Sequence, residues 1–287
     1  MDPISVVGIG GVVLGSKDLL NKLLGPTAEY LGDEIAGLVK KCNVNLDTIF
    51  RKALSKKKVE SGNVSPRILF DIIRQGKYAD SVIVQEYLAG ILAKSSDAAG
   101  SDEGKFYAAM VDKMSTFQIK LHFLIYRSIS STEIFKPLDI NFEKSRKLSA
   151  IFLPKDDISK LMGPDLKPFG QEFMDALYGL IAYRLIDDAF VFGEAKHVSE
   201  SFPHINDSGL VAGPTQVGAQ LFLWALAAES RNPRYIFSIP AAAFPDVDII
   251  SHGCTPAIRY SLKDRGNGKM DVSIEKIVPN KSPKGSP

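Results

Sequence analysis

A mainly helical protein with a C-terminal α+β part is predicted by three features of this 287-residue sequence. Apolar residues recur at three-to-four spacing in successive segments between Pro26 and Ile129, the period of one helix face. After Phe169 the pattern shifts to the order helix, strand, loop, strand, helix. Near the end, two alternating segments flank Asn267-Gly268, a pair suited to a tight hairpin turn.

Residues 25–130 read as a helical bundle. Pro26 suits a first helical position, and Leu31, Ile35, Leu38 and Cys42 continue one stripe. Asn45 caps a second helix carrying Leu46, Ile49, Phe50, Ala53 and Leu54. Gly62-Asn63 breaks it, and Ser65-Pro66 opens a third with Ile68, Leu69, Ile72 and Ile73. Asp80 or Ser81 caps the next, which buries Val84, Tyr87, Leu88, Ile91 and Leu92. The polar stretch Ser95 to Gly104 is a loop. The longest helix is expected over Glu103 to Ile129, with Tyr107, Met110, Met114, Phe117, Leu121 and Leu124 as core. Short loops favour one bundle of five helices.

Residues 131–166, interrupted by Pro137, Pro154 and Pro164, read as a connector with at most short helices. Residues 167–278 form the α+β part. A helix carries Phe169, Phe173, Leu177 and Leu180, followed by a β-like stretch from Tyr183 to Phe192. Leu210-Val211 is a short strand, and Thr215 caps a helix with Val217, Leu221, Trp224 and Leu226. That order is winged-helix-like. Tyr235 to Ile239 reads as a strand. Ile258, Tyr260 and Leu262 pair with Met270, Val272 and Ile274 as a hairpin. Residues 279–287, rich in Lys, Pro, Ser and Gly, should be disordered.

Composition narrows the function classes. An apolar share of 45% and a charged share of 24% suit a folded protein. A net charge of +2 offers no basic stripe for nucleic acid, so a nucleic-acid partner is not expected. Lys56-Lys57-Lys58 and the tail lysines Lys276, Lys281 and Lys284 read as solvated surface. Two distant cysteines, Cys42 and Cys254, suit a reducing cytoplasm.

The segment 1–24 is apolar and glycine-rich, and Val6, Val7, Ile9, Val12, Val13 and Leu14 dominate it. It falls short of the roughly 18–20 apolar residues a membrane span needs. It also lacks the positive leader and cleavage site of a signal peptide. Gly8, Gly10, Gly11 and Gly15 disfavour an isolated helix there. Two readings stay open: a buried lead-in strand, or a contact with a membrane or partner protein. A phosphate loop is a weaker reading still, because no third glycine and no Gly-Lys-Ser/Thr follows.

Catalytic signatures are sparse, and no cofactor is expected. There is no Gly-x-Ser-x-Gly elbow. Of the four histidines, His122 falls within the long helix and reads as structural, while His197 and His204 read as surface. Asp246-x-Asp248-x-x-x-His252-x-Cys254 holds zinc-ligand residue types, but no second cluster at metal-site spacing accompanies it. On a strand, His252 and Cys254 would share a face, so they are the one candidate thiolate pair. Carboxylate pairs occur at Asp33-Glu34, Asp156-Asp157 and Asp187-Asp188, and adjacent acids on a helix diverge. The helix after Thr215 offers Gln216 and Gln220 but no Lys or Arg, which argues against base reading.

Four places resemble the abortive infection alpha (Abi-alpha) family, an uncharacterised bacterial domain. Gly25-Pro26-Thr27-Ala28 leads into Leu31-Gly32. Gln85-Glu86-Tyr87-Leu88-Ala89-Gly90-Ile91-Leu92-Ala93 is similar to a family helix, with Tyr87 where tryptophan is expected and Gly90 in place of a polar residue. Leu177-x-x-Leu180-Ile181 resembles a helix end, and Thr215-x-x-Gly218-x-x-Leu221 a closing helix. The resemblance spans Gly25 to Leu226. It implies a role in defence against bacteriophage by abortive infection, and no known reaction. The expected protein is therefore non-enzymatic and acts through a protein partner, a second copy of itself or a membrane surface. A nucleic-acid-binding regulator and an enzyme with a dispersed site are the alternatives.

Overall fold

The structure, a computed structural model, describes residues 44–56, 64–97, 102–163, 167–239, 247–264 and 270–274. The segment containing Val6 to Leu14, the helix expected over Pro26 to Cys42, the first Abi-alpha-like segment, the hairpin turn and the tail lie outside them. Among the described residues no helix is long and apolar enough to cross a membrane.

The helical half contains α1 (Val44–Lys56), α2 (Pro66–Gly76), α3 (Val82–Asp97), α4 (Glu103–Lys113) and α5 (Thr116–Ser131). Helix α3 is its axis and packs against α1, α2, α4 and α5. Its sequence predicts one buried stripe, yet every residue from Gln85 to Ser96 is buried. A helix apolar around its circumference belongs inside a fold. The buried acid Glu86 meets Lys52 and Lys56 of α1, the latter at 2.8 Å.

The expected helix from Glu103 to Ile129 is two helices. Ser115 accepts from the Gln118 backbone N–H at 3.1 Å, and the Gln118 side chain accepts from the Ser115 N–H at 2.7 Å. This reciprocal cap starts a new helix without a break in the apolar spacing. Asn45, expected as a cap, sits inside the first turn of α1 and donates to Asp80 at 3.0 Å.

Short helices α6 (Glu143–Leu148) and α7 (Lys155–Met162) flank strand β1 (Ile151–Pro154). The stretch 131–166 thus supplies a central strand where a plain connector is expected. Helix α8 (Gln171–Ala182), strand β2 (Val191–Gly193), α9 (Ala195–Ser201), strand β3 (Gly209–Ala212) and α10 (Gln216–Ala225) follow. With β4 (Thr255–Pro256) the strands form one sheet in the order β2-β3-β1-β4. All its pairings are antiparallel. The hairpin pairs β5 (Tyr260–Asp264) with β6 (Met270–Ile274), setting Leu262 opposite Val272 as the alternation predicts.

The sheet separates two apolar clusters. Ile151, Leu153, Leu210 and Ala212 face the main core, which runs from Leu46 to Tyr260. Phe152 and Val211, offset by one residue, join Val198, Ile205 and Ala257 on the other face. Two further expectations are corrected. Pro233–Ser238 is a 3-10 turn, not a strand, because Pro233 opens it and Asn232 accepts from the Arg234 N–H at 3.0 Å. The winged-helix-like order is not reproduced: the β-like stretch expected from Tyr183 to Phe192 is a strand only from Val191, and helix α9 stands where a loop is expected. Most of α10 is also buried, with Gly218, Ala219 and Leu221 to Ala225 all inside. A recognition helix must expose a face to a groove; α10 instead packs on α3.

Candidate functional site

The segment 247–254 carries the sequence candidates Asp248, His252 and Cys254. It lies along a cleft of about 330 Å3 whose walls come from α5, α7 and the segment itself. Lys120, Lys160, Asp248 and His252 bring charge to it, and Leu124, Leu161, Ile249 and Ile250 form its apolar part.

One residue, half of the Asp156-Asp157 pair, fixes this segment. Asp157, at the start of α7, is buried. Its Oδ2 accepts from the Ser251 hydroxyl at 2.6 Å and from the backbone N–H groups of His252 and Gly253 at 3.2 and 3.4 Å. Lys160 approaches its other oxygen at 3.6 Å. Asp156 is exposed, so the adjacent acids diverge as helical geometry requires. The available signal is an acidic pair in the first turn of a helix that starts just after Pro154.

The side chains of His252 and Cys254 have different surroundings. Cys254 Sγ lies 3.9 Å from the Ser251 carbonyl and packs against the main core. The His252 side chain is exposed. Among the described residues no group of three His, Cys, Asp or Glu side chains is placed to hold a metal ion.

Asp157→Ala should detach 251–253, because backbone N–H groups and a hydroxyl would lose a charged acceptor. The expected cost is about 2–4 kcal/mol. Hydrogen exchange should quicken first at Ala257, whose N–H donates to the Ala150 carbonyl at the end of the sheet. Unchanged protection there would refute the anchoring role.

The other candidate histidines divide by environment. His197 is exposed on α9, 3.7 Å from Glu200. His204 is half-buried and lines a second cavity beside Thr255 and Tyr260. His122 is fully buried at the centre of the molecule. Its Nε2 lies 3.1 Å from the Gly218 carbonyl, which can only accept, so Nε2 carries the proton. Nδ1 is then an acceptor, and the Tyr87 hydroxyl donates to it at 2.6 Å. Burial pushes the His122 pKa down to about 3, against a smaller upward pull from the Gly218 bond. Burial also raises Tyr87 and Tyr126 well above their ordinary range. Tyr126 donates to the Leu185 carbonyl at 2.7 Å and accepts from the Thr215 N–H at 2.9 Å. The result is a chain of satisfied, neutral, water-excluded hydrogen bonds. It ties α3, α5 and α10 together.

Three of the four Abi-alpha-like segments meet here. Tyr87 and Gly90 come from the first of the three and Gly218 from the last. Gly90 lies against Ala225, where a Cβ would sit 1.8 Å from the carbonyl oxygen. From the middle segment, Leu180 accepts from the Leu185 N–H at 2.8 Å, turning the chain so that Leu185 can meet Tyr126. The chain matches no known protein family, no curated protein and no solved structure.

Proposed function

We propose that this chain is a non-enzymatic bacterial defence protein that acts in abortive infection through contact with a protein partner, a second copy or a membrane surface. The observation supporting this reading is the convergence of Tyr87, Gly90 and Gly218 on one buried crossing, with half-buried Thr215 capping the helix that carries Gly218. Residues that carry the Abi-alpha resemblance are thus the joints of one core, as expected if the resemblance reflects a shared scaffold. The polar groups of that core are consumed in structural bonds, so the reading places action at the surface.

Expression in a bacterial host challenged with phage tests it. Fewer plaques, with infected cells dying before they release progeny, is the expected result. Deleting Met1 to Gly15 should abolish protection, whereas His252→Ala with Cys254→Ala should leave it intact. Full protection by the deletion variant would remove the apolar N-terminal segment as the contact. Loss in the double-alanine variant would favour an enzyme instead.

A nucleic-acid regulator is disfavoured by the burial of most of α10. A gel shift at low salt, where phosphate contacts are strongest, should show no complex.

A further inference from the structure

We propose that the cavity beside His204 binds a free α-amino acid with an apolar side chain, its carboxylate on Arg259 and its ammonium on Asp207. The cavity is about 460 Å3, within the range of small-ligand sites. It lies where the loop before β3 faces the stretch from Gly253 to Tyr260. Arg259 and Asp207 both line it, and both are exposed. Among the described residues neither has an ion-pair partner, so the two do not pair with each other. Asp207 Oδ1 accepts from the adjacent Ser208 N–H at 2.7 Å, a local bond that leaves its charge unmatched.

Three features point to a small zwitterion. Opposite charges that share a cavity without pairing suit a ligand carrying both signs; an anion or a cation alone would match only one of them. The guanidinium presents a planar fork of N–H donors that fits a carboxylate, while the Asp207 carboxylate accepts from an ammonium. Apolar surface is open in the same cavity: Ile134 is 37% exposed, and Pro256 and Ile258 are half-buried. The backbone on both sides is also held. The Ala257 N–H donates to the Ala150 carbonyl at 2.9 Å, and the Tyr260 hydroxyl to the Ile134 carbonyl at 3.1 Å. Across the cavity the Lys155 N–H donates to the Ser208 carbonyl at 2.8 Å. Arg259 and Asp207 therefore stand next to fixed positions, which lowers the ordering cost of binding.

This proposal is independent of the defence reading, since binding is measured on purified protein. The full chain is titrated by calorimetry with L-leucine, L-isoleucine, L-methionine and glycine. Saturable binding is expected for the three apolar amino acids. Glycine, which has no side chain to bury, should bind about tenfold or more weaker. Isocaproate lacks the amine of leucine and isoamylamine lacks its carboxylate; each should bind about tenfold or more weaker than leucine. Arg259→Gln should weaken leucine about tenfold and leave isoamylamine within about twofold. Asp207→Asn should likewise weaken leucine and spare isocaproate. Both side chains are exposed, so both variants should fold. No saturable heat with any apolar amino acid up to about 5 mM would overturn the proposal. So would an unchanged leucine affinity in both variants. Equal binding of N-acetyl-leucine, whose amine is blocked, would assign the cavity to a peptide C-terminus and also overturn it.

Discussion

Replacing Gly90 with alanine should lower the thermal midpoint by about 6–12 °C, one of the two largest effects expected from a minimal change. The added methyl would lie 1.8 Å from the Ala225 carbonyl oxygen, 2.2 Å from its carbon and 2.7 Å from its Cα. All three are backbone atoms, so no rotamer change relieves the clash; α3 and α10 must separate. Elsewhere in an exposed helix, glycine to alanine stabilises by up to about 1 kcal/mol. Here overpacking should win by about 3 kcal/mol, and each kcal/mol is worth about 2–4 °C in a domain of this size. Calorimetry on both proteins measures the shift. A midpoint within about 2 °C of the parent would show that the helices do not cross so closely at this glycine.

The second large effect is acid sensitivity set by His122. Its folded pKa, about 3, lies below the ordinary value of 6.5 because burial disfavours the charged ring. The unfolded chain therefore takes up a proton below about pH 6.5 while the folded chain does not. Stability is complete above that pH and falls as the pH drops toward 3. The slope is about 1.4 kcal/mol per pH unit, reaching roughly 5 kcal/mol across the window. Denaturant unfolding between pH 6.5 and 5 isolates the effect, since carboxylates of ordinary pKa stay ionised there. His122→Gln keeps a donor and an acceptor but does not titrate. It should cost about 1–3 kcal/mol at neutral pH and flatten the acid slope. An unchanged slope in that variant would show that another group governs the acid loss.

The contrast between α3 and α4–α5 shows why some elements were legible and others were not. Apolar spacing located both regions. Spacing records only that a face is buried, so it missed that α3 is buried on every side, and it ran straight through the reciprocal cap at Ser115 and Gln118. The hairpin was legible because Asn-Gly chemistry and alternation act within a few residues. Strand β1 was not, because Ile151 to Pro154 is too short to show a period and is a strand only by virtue of β3 and β4 on either side. The same limit hid Asp157, whose partners lie 94 to 96 residues away.

By itself the sequence determined which segments hide apolar surface, where Thr215 starts a helix, and where the chain doubles back as a hairpin. These depend on hydrophobic period, capping and turn chemistry, all of which act over one or two turns of chain. Only the tertiary structure decided that His122 is neutral, that Gly90 and Gly218 are points of contact between helices, and that Ile134 and Arg259 line one cavity. Those properties arise from burial and from groups more than 90 residues apart. Desolvation and close packing exist only once the distant segments have come together.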